Sequence, residues 1–197
     1  MTLAKGVVFL AIAGLLASCS VYERFLPSSE DRPAQEFSPG ENLVYQAPDR
    51  WTMSYDKKTD KHWMTGWTPE DQERDSWQDM LSIQVVYNAT SKNPVQFIKG
   101  MAKSAEKACP GSKGKIWEEG ERDGYQYVIW FHDCKKNPNT QQMEVSILKA
   151  MLGSDNFYVL QRAWRSEPSK SDLEQWATYL KKASICDTRF ESVACPK

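Results

Sequence analysis

The chain has 197 residues, 41% of them hydrophobic, with 25 Lys and Arg against 26 Asp and Glu. A length of this order suits one domain. A charge so close to balance exerts no pull on nucleic acid or on an acidic polymer, so neither is expected as a partner.

Residues 1–18 have the build of a secretion signal rather than of a folded element. Lys5 supplies the charged start, residues 6–16 run unbroken through apolar and small side chains, and Leu16-Ala17-Ser18-Cys19 closes the segment. The apolar run is too short to span a bilayer, which takes ~20 residues, and no later stretch is apolar enough to do so. Leu16-Ala17-Ser18-Cys19 resembles the lipobox of bacterial lipoproteins, and it stands directly after a charged start and an apolar run. The resemblance implies that the Cys19 thiol is acylated, that the signal is cut before it, and that the new amine is acylated in turn. Ser20 is not Asp, which by the sorting rule of that family implies the outer membrane; the expected placement is lipid-anchored and periplasm-facing. The bilayer is then a partner through acylated Cys19. Each buried CH₂ adds about 0.8 kcal/mol, and two or more chains make the anchor stable. The alternative, an ordinary cut at Ala17-Ser18, leaves a free thiol. Lys5 is the only charge lost with the signal, so the mature chain has 24 Lys and Arg against 26 Asp and Glu.

Residues 19–42 read as a lipidated, flexible tether. Ser28, Ser29, Pro33, Ser38, Pro39 and Gly40 are mixed with charge, and no apolar period survives. Residues 43–197 are expected to form a single periplasmic domain. Four cysteines fall in it: Cys109, Cys134, Cys186 and Cys195. An even count in an exported chain reads as a disulfide framework. Of the three pairings, Cys109–Cys134 with Cys186–Cys195 is favoured, because each pair consists of sequence neighbours with turn chemistry between them. There is no C-x-x-C, and His62 and His132 are far apart, so neither a metal centre nor another cofactor is expected.

The elements follow in order. Residues 43–45 begin a strand that Pro48 stops. Residues 51–55 alternate large apolar with small polar side chains, and residues 62–67 pair with them. Residues 69–75 are a charged loop. Residues 80–87, rich in β-branched side chains, form the clearest early strand. Asn93-Pro94 opens a helix, as N-cap and first helical residue. Val95, Ile98, Ala102 and Ala105 make its apolar stripe, and it stops near Cys109. Four strands at 114–121, 125–133, 142–152 and 157–165 follow, with turns at Asp123-Gly124, at residues 137–139 and at residues 153–156, the spacing of an antiparallel meander. A last helix starts at Pro168 and Ser171, with Ser171-x-x-Glu174 as its capping box. Leu173, Trp176, Ala177, Leu180 and Ala183 form its stripe. The fold class is α+β: an antiparallel sheet with a four-strand C-terminal meander and two helices packed against it. Over residues 42 to 185 this order of elements resembles the PsbP/Mog1-type fold, which also occurs in bacterial envelope lipoproteins. That resemblance implies a binding, chaperone or assembly module rather than an enzyme.

Reactive constellations are scarce. There is no G-x-S-x-G, no Gly-rich phosphate loop and no dinucleotide fingerprint. His132 is expected on a solvated strand end, pointing away from Asp133 because neighbours on a strand face opposite sides. Glu70, Asp71, Glu73 and Asp75 form a solvated loop, and Glu118, Glu119, Glu121 and Asp123 a charged hairpin. The oddity is aromatic: Trp51, Trp63, Trp67 and Trp77 fall in an otherwise polar segment. Packing on the helices accounts for such residues in general. Interface centres are also enriched in Trp and Arg. Trp63, Trp67, Trp77 and Arg74 are therefore the candidate protein-binding residues, and no catalytic residue is assigned. The expected function is a non-catalytic, membrane-anchored lipoprotein that binds an envelope protein as an assembly or accessory module. A carrier of lipid or another apolar ligand would need a sizeable apolar cavity. A hydrolase would need two carboxyl groups in one cleft, at least one with a raised pKa.

Overall fold

The computed structural model describes residues 35–196. The signal at 1–18, Cys19 and the tether up to residue 34 lie outside the described residues. The chain order is β1 (Glu41–Val44), β2 (Trp51–Lys58), β3 (His62–Pro69), β4 (Asp79–Tyr87), α1 (Pro94–Ala108), β5 (Lys113–Arg122), β6 (Tyr125–Cys134), β7 (Glu144–Leu152), β8 (Asn156–Trp164), α2 (Lys170–Lys182) and β9 (Ser184–Asp187), with 3-10 turns at Arg74–Ser76 and Glu191–Val193.

Seven strands form one sheet in the order β2-β3-β4-β8-β7-β6-β5, every pair of it antiparallel. The expected meander β5 to β8 is one half of it. β4 joins β8 along nine residue pairs, from Asp79↔Trp164 to Tyr87↔Asn156. The chain therefore leaves the middle of the sheet after β4, crosses one face as α1, and re-enters at the far edge as β5. After β8 it crosses the other face as α2. The two helices lie on opposite faces, and β7 is covered on both. That explains why Glu144–Leu152 is buried almost without a break instead of alternating. Ile147 and Met151 join Leu180 of α2 and its C-cap Ala183 in one core. Leu148 and Ala150 join Ile98 of α1, with Val128, Phe157 and Val159, in the other.

Local signals account for the helix ends. Asn93 Oδ1 accepts the Gln96 N–H at 3.1 Å, and Pro94 takes the first helical position. α2 starts two residues before the expected cap. Its N-cap is Ser169, whose Oγ accepts the Asp172 N–H while the Asp172 carboxylate takes the Ser169 N–H. Two overlapping Ser-x-x-acid patterns occur here, and the earlier one forms the box, with Asp172 at the third helical position. Both disulfides pair as expected, Cys109–Cys134 and Cys186–Cys195. The first pins the end of α1 to the end of β6.

The C-terminal segment adds a strand beyond the expected elements. Ser184–Asp187 is a strand that pairs with β1, Asn42 opposite Cys186. The Glu41 carboxylate locks this ribbon to the β7–β8 turn by accepting the Asn156 N–H and the Tyr158 hydroxyl, both at 3.0 Å. Gln35 donates its side-chain amide to the Leu43 carbonyl at 2.8 Å, so residues 35–40 also lie against the domain.

Lys149, in the middle of β7, is the least expected core residue. It is 1% exposed. Its Nζ donates to the carbonyls of Ala183, at 2.7 Å, and Lys181, at 3.3 Å, and stands 4.6 Å from the centre of the Tyr127 ring. The ammonium thus caps carbonyls at the end of α2, where the helix dipole favours a cation. Burial nevertheless pulls its pKa from 10.5 to about 8, with the nearby Arg122 charge adding to the effect. A folded-state pKa below the unfolded value means that the unfolded chain binds more protons between the two, so stability rises with pH across that window. Relative to Lys149→Met, wild type should gain about 1.5 kcal/mol between pH 8 and pH 9.5. Urea unfolding of both proteins at the two pH values measures this, and a gap that stays constant or moves the other way contradicts it.

Candidate functional site

The sheet face under α2 carries most of the aromatic load. Trp63 and Trp67 are four residues apart on β3 and therefore share this face. They stand opposite Val85 and Leu81 of β4. Both are half-buried. Trp63 donates its indole N–H to Asp56 at 2.6 Å. Trp67 is directly opposite Met53, which is 48% exposed, while its own indole nitrogen is buried without a partner. Trp77 leaves the sheet plane just before β4 and stacks under the Arg165 guanidinium at 3.8 Å, whose NH1 also donates to the Trp77 carbonyl. Arg74 is exposed on the 3-10 turn. The structure thus brings Trp63 and Trp67 onto one face with Met53, and places Trp77 and Arg74 on the connection that leads into β4.

Trp51, the remaining member of the sequence cluster, has a packing role. Its ring lies 5.4 Å from that of Trp176 on α2. Together with Trp164 these rings enclose Arg162, whose guanidinium carbon is 4.3 Å from Trp164, 4.7 Å from Trp176 and 5.0 Å from Trp51. Such distances are those of cation–π contact. Asp79 completes the cage as the ion-pair partner. Burial lowers the Arg162 pKa to about 10 and Asp79 opposes that, so the group stays charged at neutral pH. The sequence does not announce this group, because its three tryptophans come from β2, β8 and α2. A second aromatic exposure was also missed: at the outer edge, Trp117 stacks flat on Phe131, ring centres 5.0 Å apart and 5° from parallel.

The opposite face holds a cavity of about 240 Å³ between α1 and strands β6, β7 and β8. Here the expectation for His132 fails. It is buried, 9% exposed, because α1 passes over the end of β6. It stacks on Trp130, ring centres 5.1 Å apart, and its Nε2 is buried with no hydrogen-bond partner. Burial lowers its pKa against the opposing charge of Asp133, so the ring is neutral at pH 7. Ser146 stands directly across from it on β7, and Glu144 and Gln161 also line the space. Burial pushes the Glu144 carboxyl above its ordinary value, with Arg165 opposing. Serine, histidine and glutamate line one cavity, yet His132 Nε2 bonds to neither neighbour, so the nucleophile–base contact of a hydrolase is not formed. Glu144 is the one carboxylic residue of the lining. Asp133, near it in register, faces the other side of the sheet.

The acidic clusters hold no metal site: among the described residues no group of three His, Cys, Asp or Glu side chains is placed to bind an ion. Glu118 of the hairpin cluster accepts the Tyr127 hydroxyl at 2.8 Å and pairs with Lys181 at 2.5 Å, and these contacts hold its carboxyl below the usual range.

No known protein family matches the sequence, and no curated protein does. The fold is similar to that of cyanobacterial PsbP, CyanoP, from Synechocystis sp. PCC 6803, with a TM-score of 0.51 at 10% identity over 87% of this chain and 99% of that one. The expected PsbP-like fold is therefore the observed one. A more distant likeness, with a TM-score of 0.40 at 12% identity over 75% of this chain and 86% of that one, is to LpqN of Mycobacterium tuberculosis, described as involved in cell envelope biogenesis.

Proposed function

We propose that the protein is a non-catalytic accessory module, lipid-anchored at Cys19 to the periplasmic side of the outer membrane, that docks on an envelope protein through the β2–β3 end of its α2 face. The observation that carries the reading is the pairing of exposed Met53 with half-buried Trp67 on the sheet beside the Trp51–Trp176 contact with α2, with charged Arg74 on the neighbouring turn. An apolar centre with Arg at its margin is the composition of protein interfaces. Three further observations support it: the lipobox-like Leu16-Ala17-Ser18-Cys19, the PsbP-like fold, and the lack of a formed nucleophile–base pair in the α1 cavity. That cavity also bears on the carrier alternative. At about 240 Å³, it falls below the ~300–1,000 Å³ of ordinary ligand pockets and is too small for a two-chain lipid.

The test is affinity extraction of the native protein from its own membranes in mild detergent, beside Met53→Asp and Arg74→Glu. Both substitutions are at exposed positions and leave the folded core intact. Wild type should bring down one protein in stoichiometric amount and the variants should lose most of it. A partner retained by both variants would remove this surface from the proposal, and a wild-type chain that carries no protein partner would overturn the reading itself.

A further inference from the structure

The outer side of α1 concentrates a charge that the near-balance of the whole chain conceals. Lys99, Lys103 and Lys107 follow one another at intervals of four, so they stand in one ridge about 12 Å long. The ridge lies opposite the stripe of Ile98, Met101, Ala102 and Ala105 that packs on the sheet. All three lysines are exposed, and none has an acidic partner among the described residues. Glu106, the one acid of the helix, accepts the Gly111 N–H at 3.1 Å. Lys92 extends the row at one end, its Nζ 6.0 Å from the centre of the Phe157 ring in the core under α1. Lys136 extends it at the other, where the Cys109–Cys134 bridge ties the end of α1 to the end of β6. Two exposed acids of this side, Glu119 and Glu121, stand on edge strand β5, at the level of the sheet and a layer below the ridge. On the opposite face, by contrast, Lys170 and Lys181 of α2 are paired, with Glu174 and Glu118.

We propose that the outer face of α1 is the side that this domain lays on an anionic lipid bilayer, with its lysines against the lipid phosphates. The occupant follows from charge and reach. The other exposed residues of α1 are Gln96, Gly100, Ser104, Glu106 and Ala108, so the face has neither an apolar edge to insert nor the apolar centre of a protein interface. A layer of anionic headgroups needs only cations. The inference rests on the lipid anchor proposed at Cys19, which keeps the domain beside a bilayer at high effective concentration. The described chain begins on the α2 side, where Gln35 meets Leu43. Residues 20–34 precede it and span up to ~50 Å. The three layers of the domain are together roughly 30 Å thick, so the anchor reaches a bilayer that α1 faces. That orientation turns the α2 face, and the docking surface on it, away from the lipid.

The test reconstitutes the protein, purified from its own membranes, on vesicles of phosphatidylcholine and on vesicles rich in phosphatidylglycerol. Reductive methylation read by mass spectrometry then maps each lysine. Lys99, Lys103 and Lys107 should react about fivefold more slowly on phosphatidylglycerol, the worth of one lysine near an anionic surface. Exposed Lys170 and Lys182 of α2 should react alike on both. Salt at about 1 M should erase the difference. Replacing the ridge by Lys99→Gln, Lys103→Gln and Lys107→Gln together should abolish the slowing at Lys92 and Lys136, whereas Lys99→Arg, Lys103→Arg and Lys107→Arg should keep it. Protein that floats with neither vesicle overturns the anchor, and this proposal with it. Protein that floats with both yet reacts equally on both, or is slowed on α2 instead, overturns this proposal alone. Slowing on native membranes but not on phosphatidylglycerol does the same, since it marks an acidic protein as the partner.

Discussion

Asp79→Ala should cost about 3–5 kcal/mol of stability, the range for removing one partner of a buried ion pair. The Arg162 side chain is 4% exposed, against 27% for that of Asp79. Deleting the carboxylate leaves a guanidinium among three indole rings without its ion-pair partner, with NH1 still on the Ala163 carbonyl and only the charge of Asp172 to oppose its burial. Asp79 also accepts the Gln72 side-chain amide at 2.7 Å, and Gln72 Oε1 takes the N–H groups of Gln78 and Asp79, so the charged loop before β4 loses one of the three bonds that clasp it in the same step. Arg162→Met should be far milder, within about 1.5 kcal/mol of wild type, because it removes the charge together with the cost of burying it and keeps apolar bulk between the rings. Asp79, partly exposed, can then hydrate. Urea unfolding ranks the two. If Asp79→Ala were the milder, the tryptophan cage would be holding Arg162 without need of the carboxylate.

The contrast between that cage and the meander shows which features a sequence discloses. The strands from β5 to β8 are joined by turns whose residues demand them. Asp123 and Gly124, for instance, both adopt positive φ, at 54° and 81°. Periodicity and turn chemistry are local, so they can be read from neighbours. α1 is readable for the same reason, through Asn93-Pro94 and a stripe at helical spacing. β9 is not: four residues carry no period, and the strand exists because β1, more than 140 positions earlier, lies beside it. His132 was misread because the exposure of a strand end depends on what crosses it, and α1 crosses it. Trp63 and Trp67 sit on one face by arithmetic alone, but Met53 becomes their neighbour only through register, with a bulge at Met53/Tyr55 that shifts the pairing. The cavity was invisible for a subtler reason. Ala105 in an amphipathic stripe reads as a good helix former, and nothing in the sequence tells whether the volume that an alanine leaves open is filled from the other side.

The disulfide between α1 and β6 should carry the second large effect. Cys109 and Cys134 are 25 positions apart, and closing a loop of that length restrains the unfolded chain by about 3.5 kcal/mol. Replacing both by alanine should lower stability by about that amount and the melting temperature by about 10 °C. The second bridge spans nine positions, from buried Cys186 to half-buried Cys195 in a largely exposed tail at residues 188–196. Its loss by Cys186→Ala with Cys195→Ala should cost about 1 kcal/mol less by chain entropy. The two differ more in what they hold. Cys109 is the C-cap of α1 and lines the cavity, so opening this bridge frees the helix end that walls it. Hydrogen exchange separates the cases: without Cys109–Cys134, the last turn of α1 should lose protection in the folded state, whereas without Cys186–Cys195 the loss should stay in the tail and β9. Equal protection of α1 in both variants would mean that packing by Met101, Ala102 and Ala105 holds the helix end by itself, and that the bridge acts on the unfolded chain alone.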